Sequence, residues 1–116
     1  MAKHSFRELL PPSLFEKAIS LERLGINEYV WKWRDVLIVI NILISNRILV
    51  LGGDVYSPEK NGFRPTDDNW HVNRIGLIPT DTELQHAQAL SSNYIKSYVK
   101  KNGENYYFSI VADFQL

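Results

Sequence analysis

The chain has no cysteine. Disulfides, thiolate metal sites and a cysteine nucleophile are thereby excluded. It has no surplus of charge either, because 13 Lys plus Arg balance 13 Asp plus Glu. Bulk electrostatic support for binding phosphate backbones is missing, and so is the strong acidity of a nucleic-acid mimic. No long hydrophobic run occurs. The longest, Val36 to Ile44, is nine residues and is broken by Asn41, against the roughly 20 needed to span a bilayer. At the N-terminus, Lys3, Arg7 and Glu8 lead into Leu9-Leu10 and then Pro11-Pro12. No apolar core of a signal peptide is readable there. These absences point to a cytoplasmic protein with neither nucleic-acid nor membrane partners.

What remains is an ordinary globular composition. The 116 residues are 45% hydrophobic and include three Trp, six Tyr and five Phe. That is too apolar for disorder and suits one domain over residues 1–116, with 1–10 as a loose N-terminal arm. Ser13 to Leu24 reads as a helix: Pro11-Pro12 precede it, Ser13 and Glu16 have capping-box spacing, and Leu14, Ala18 and Leu21 repeat at helical period. Gly25 stops it. The segment from Trp31 to Asn46 is rich in β-branched residues, which favours strand. Its length favours a buried helix from about Arg34 to Ser45, with Trp33, Leu37, Ile40 and Ile44 on one face and Asn46 closing it. Ile48 to Leu51 is then a short strand, stopped by Gly52-Gly53 and resuming at Asp54 to Tyr56. Ser57 to Asn69, with Pro58, Gly62 and Pro65, reads as a long loop, and such loops are usually functional or disordered. Trp70 to Asn73 makes another short strand. Thr80 and Glu83 form a second capping box, and Leu84, Ala87, Leu90, Tyr94 and Tyr98 trace the buried face of a helix that ends at Asn102-Gly103. Tyr106 to Phe114 alternates as a strand. The fold class is α+β, three helices packed on a small, mostly antiparallel sheet.

Two stretches carry the candidate chemistry. In Val50-Leu51-Gly52-Gly53-Asp54-Val55-Tyr56 the diglycine permits positive φ or close approach of another backbone. It marks either a bulge or a binding edge that displays Asp54 and Tyr56. In Thr66-Asp67-Asp68-Asn69-Trp70-His71 the paired carboxylates, with Asp54 and His71, would form a metal or acid–base cluster if the loop folds back. Calcium-loop spacing is absent. His4, His71 and His86 have no metal-ligand spacing among themselves, and no Gly-x-Ser-x-Gly motif or phosphate-binding glycine loop occurs. Trp31 and Trp70 are either interface anchors or residues buried beneath the long loop. Asp54, Glu59, Asp67 and Asp68 outnumber Lys60 and Arg64 from Gly52 to Trp70, whereas Lys96 to Lys101 holds three lysines and no acid.

The order of these features resembles the immunity protein 40 family of bacterial polymorphic toxin systems. The likeness is carried by the helix ending in Asn46 followed by Ile48-Leu49-Val50-Leu51-Gly52-Gly53-Asp54-Val55-Tyr56. It continues through Thr66-Asp67-Asp68-Asn69-Trp70, the helix with Ala87 and Tyr94-Ile95-x-x-Tyr98, and the final strand Tyr106-Tyr107-Phe108-Ser109-Ile110-Val111. It covers roughly Trp31 to Val111. The run Val36-Leu37-Ile38-Val39-Ile40 is more apolar than an amphipathic family helix. The resemblance implies a small cytoplasmic protein that neutralises a cognate toxin domain by direct binding, with no enzymatic activity and no cofactor.

The physical reading supplies the contact candidates: Asp54, Tyr56, Asp67, Asp68 and Trp70, with aromatics anchoring and carboxylates steering. The alternative is a small metal-dependent hydrolase using Asp54, Asp67, Asp68 and His71. A homodimer is a third expectation, if the strand Tyr106 to Phe114 is an open sheet edge.

Overall fold

A computed structural model describes residues 5–114 of the chain. Its centre is a six-stranded antiparallel sheet. The strands are β1 (Ile19–Ser20), β2 (Tyr29–Lys32), β3 (Val50–Glu59), β4 (Gly62–His71), β5 (Tyr107–Ser109) and β6 (Val111–Ala112). Their spatial order is β1-β2-β5-β3-β4, and β6 pairs with the start of β3. Four α-helices accompany it among the described residues: α1 (Phe6–Leu9), α2 (Pro12–Phe15), α3 (Trp33–Ser45) and α4 (Asp81–Asn102). The α+β class read from the sequence is the class observed.

Alternation along the strands makes two layers. Trp31, Phe108 and Val55 stand in register across β2, β5 and β3. They point into the main core with Val36, Val39, Ile40 and Leu43 of α3 and Leu84, Ala87 and Ile95 of α4. Their neighbours Val30 and Tyr56 point the other way, into a smaller cluster closed by Leu21. The two long helices pack together over the first face, tied at the rim by Gln88 Nε2 donating to Asn41 Oδ1 at 2.6 Å.

Both long helices follow their sequence signals. The Thr80–Glu83 capping box forms, with Glu83 N donating to Thr80 Oγ1 at 3.1 Å. Asn46 closes α3, its Nδ2 donating to the Ile42 carbonyl at 2.8 Å. The α3 stripe is rotated from the expected one. Val36, Val39, Ile40 and Leu43 are the buried residues, while Trp33 sits half-buried with its Nε1 donating to Glu104 at 2.9 Å.

Four expectations are corrected. The helix over Ser13 to Leu24 does not form. Ser13 lies inside the single turn of α2, so it cannot cap it, and Ile19 pairs with Val30 instead of continuing a helix. Sheet pairing and burial of Leu21 against Val30 and Tyr56 outweigh local helical preference. The loose arm is also wrong for residues 5–10, whereas residues 1–4 of it lie outside the described residues. Phe6 packs edge-on against Trp31 and Phe114, and Leu10 is buried. Gly52-Gly53 does not stop a strand, because β3 runs through it. The loop over Ser57 to Asn69 is a β-hairpin instead: Glu59 faces Gly62 across the two-residue turn Lys60-Asn61. Pro58 and Pro65 are tolerated because Pro58 lies beyond the end of β5 and Pro65 is on the edge strand β4.

The final strand breaks at Ile110 into β5 and β6. β5 lies between β2 and β3. Along β5 the open edge on which strand-added dimerisation was expected is therefore absent, since both its sides are paired, whereas β6 pairs on one side, with β3.

Candidate functional site

The diglycine is a cradle for Trp70. Gly53 faces Trp70 across the β3–β4 ladder. A Cβ on Gly53 would run into the indole and the Ser109 carbonyl oxygen, and one on Gly52, at φ +141°, would run into the Trp70 carbonyl. The ring therefore lies across the backbone of β3, stacked on Tyr94 at 5.0 Å, with its Nε1 donating to Ser91 Oγ of α4 at 2.9 Å. Trp70 is 6% exposed and belongs to the main core. Its placement among surface contacts is corrected: the missing side chains opposite it let it sink.

Just beyond, the ladder slips. Asp54 faces Asn69 and Tyr56 faces Pro65, so Val55 alone opposes Thr66, Asp67 and Asp68. The hydroxyl of Thr66 holds this bulge, donating to the Val55 carbonyl at 2.9 Å and accepting from Asp68 N at 3.1 Å. Asp67 sits at the exposed apex with φ +69°. A non-glycine residue in that region is strained, and such positions gather at functional sites. Asp68 turns back toward α4 and accepts from the Tyr98 hydroxyl at 2.8 Å. Burial, and then that bond to a carboxylate, push Tyr98 up to about 12. Burial and the charge of Asp68 raise Tyr94 as well. Asp68, Tyr94, Tyr98 and Lys101 line one cleft of about 340 Å³. The acidic segment and the basic helix end noted in the sequence thus meet at one edge.

Asp54 and Tyr56 belong to the opposite face. Tyr56 is 4% exposed and donates its hydroxyl to Glu28 Oε1 at 2.6 Å. Its ring is thus corrected from a broad surface anchor to a buried one with a polar end. Burial raises the Asp54 pKa, and the nearby Glu28 raises it further. Among the described residues no Lys, Arg or His forms an ion pair with Glu28, Asp54, Asp67 or Asp68. None of these carboxylates is neutralised by a cation among the described residues.

The five candidates therefore divide. Asp54 and Tyr56 join Glu28 on the open face, Asp67 and Asp68 mark the bulged edge, and Trp70 supports that edge from within. The proposed metal cluster does not assemble. Asp68 is engaged by Tyr98, His71 pairs with Asn73 at 3.0 Å, and no group of three or more His, Asp or Glu among the described residues is placed to hold a metal.

Sequence reasoning missed Glu28, which had no motif to mark it. It also missed the connection between β4 and α4. There Ile75, Leu77 and Ile78 are 83%, 81% and 77% exposed. The signal was available: Ile75, Leu77 and Ile78 stand beside Gly76 and Pro79 in a connection too short and too interrupted to bury them in a strand or helix of its own. Arg74 organises this loop from inside, its Nε donating to the Gly76 carbonyl and its Nη2 to the Leu77 carbonyl, both at 3.0 Å. Its Nη1 pairs with Asp113 at 3.0 Å. Arg47, at the C-terminus of α3, donates to the Pro79 carbonyl at 2.9 Å and pairs with Asp81.

Among the described residues no helix is long and apolar enough to cross a membrane. No curated protein and no solved structure matches the chain. The family model for immunity protein 40 matches residues 20–112. That stretch begins in β1 and ends with the last residue of β6, so it holds the whole sheet except Ile19, together with both long helices. With both layers of the fold inside the match, the chain belongs to the immunity protein 40 family.

Proposed function

We propose that this chain is an immunity protein that binds a cognate toxin domain and neutralises it by direct protein–protein contact. The observation that carries the reading is the family match over residues 20–112. In this reading the chain acts in the cytoplasm of a bacterium with a polymorphic toxin system, without a catalytic step or cofactor of its own.

The unpaired carboxylates support it. Asp67 and Asp68 at the bulged edge, and Asp54 beside Glu28 on the open face, are arranged to meet Lys or Arg of the toxin. Such charges chiefly speed encounter and fix register. Trp70 and Tyr56 act behind them: Trp70 packs beneath the bulge, and the Tyr56 hydroxyl positions Glu28.

The test is co-expression with the tagged C-terminal domain of the product of the upstream reading frame. The expected result is a one-to-one complex and survival of cells that otherwise die from that domain. Survival without a complex would overturn direct binding, and a complex without survival would overturn neutralisation.

A further inference from the structure

We infer that the braced loop from Arg74 to Ile78 is the apolar anchor of the interface, inserted into an apolar groove on the toxin domain. This rests on the immunity reading above and deepens it by naming the surface and the chemistry of its counterpart.

Three aliphatic side chains at 77–83% exposure stand on one short connection. Single exposed apolar residues are normal on a protein surface, but a contiguous group with a polar surround marks an interaction site. The surround is present: Asn73, Thr80 and Asp81 flank the group and are exposed. The loop is also held in shape. Arg74 binds two of its carbonyls and Asp113 at once, and Arg47 fixes its far end through Pro79 and Asp81. A loop whose backbone is already fastened loses little conformational freedom on binding, which is the general basis of preorganised affinity.

The occupant is a different protein and not a second copy. Tip against tip across a two-fold axis, three side chains cover far less than the roughly 800 Å² per partner of a stable interface. Tip into a groove of another copy is a head-to-tail contact, which propagates as an open chain unless its rotation happens to close. A groove on the toxin has neither difficulty. It surrounds the tip on several sides, and the exposed Asn73, Thr80 and Asp81 beside the loop supply a polar rim.

The experiment compares the full chain with the variant Ile75→Ser/Leu77→Ser/Ile78→Ser, and with Ile38→Ser, which trims a half-exposed aliphatic on α3. Calorimetry against the upstream toxin domain gives Kd, and thermal melting reports folding. The loop variant is expected to melt within a few degrees of the parent and to bind at least about 30-fold more weakly, the scale of one hot-spot truncation or more. Ile38→Ser is expected to leave Kd within about two-fold. If the parent binds and the loop variant binds equally well, the anchor is overturned while the immunity reading stands. An equal loss with Ile38→Ser also overturns the anchor, because the effect is then not the loop's. If the parent itself does not bind, both readings fall. Sedimentation of the chain alone completes the test: a dimer that the loop variant dissociates makes the occupant a second copy and overturns the proposal.

Discussion

Gly53 and Trp70 act as one unit. A methyl group on Gly53 meets the Ser109 carbonyl and the indole together, so Gly53→Ala is expected to destabilise the chain by at least the ~1–3 kcal/mol typical of overpacking. Trp70→Ala empties the cradle and is expected to cost about 3–5 kcal/mol in urea unfolding. Ser91→Ala removes the acceptor of the indole N–H in a fully buried place, and about 1–3 kcal/mol is expected for the unsatisfied donor. At Asp54 the sign is reversed. Its folded pKa lies above the ordinary 3.8, so the folded state holds the proton more tightly than the unfolded one. Stability is then lost as pH rises from 3.8 through the folded pKa, and the deficit is complete above it. Asp54→Asn is expected to raise the melting temperature at neutral pH, with the gain shrinking below 3.8. Thermal melts of parent and variant across that range check it. The same substitution removes a carboxylate proposed to face the toxin, so a gain in stability and a loss in binding are expected together.

At the scale of elements, legibility followed locality. The capping box at Thr80 was readable because every atom of it lies within four residues. Thr80→Ala is expected to cost about 0.5–2 kcal/mol, checked by denaturant unfolding. The two-residue turn Lys60-Asn61 was not read, although Asn61 and Gly62 are turn-favouring residues. Pro58 and Pro65 concealed it, because whether a proline fits a strand depends on which side has a neighbour, and that is set by β5, distant in sequence. The false helix over Ser13 to Leu24 has the same origin: Ile19 was claimed by Val30 and Leu21 by Tyr56. Of the candidate site, Asp67 and Asp68 were legible as a polar break in the pattern. The choice between burial and display of Trp70 was not, since it depends on glycines 17 and 18 residues earlier. Nor was the division of Asp54 and Tyr56 from the others, which rests on a bulge that no local motif announces.

For the molecule as a whole, zero net charge conceals separated surfaces. Acidic groups gather at the β4 edge and on the open face, while Lys101 lies across the cleft from Asp68. Association with the toxin is therefore expected to depend on where charge sits and not on its total. Asp67→Lys is expected to slow association about ten-fold at low salt, with the difference vanishing as salt rises, while the dissociation rate changes little. Stopped-flow mixing at two ionic strengths checks this. Equal slowing at both would place Asp67 outside the encounter surface.

β5 occupies the middle of the sheet yet is built from residues 107–109, about 50 residues or more after either of the strands it joins. Its partners Val30 and Val55 are synthesised long before it. Until the ribosome has delivered Phe108, β2 and β3 have nothing between them, and the slot that keeps Trp31 and Val55 dry is open. Contacts this distant in sequence also form slowly once available. Any surface that needs the complete sheet therefore cannot exist part-way through synthesis of the fold. It forms only once β5 has threaded between two strands made long before it.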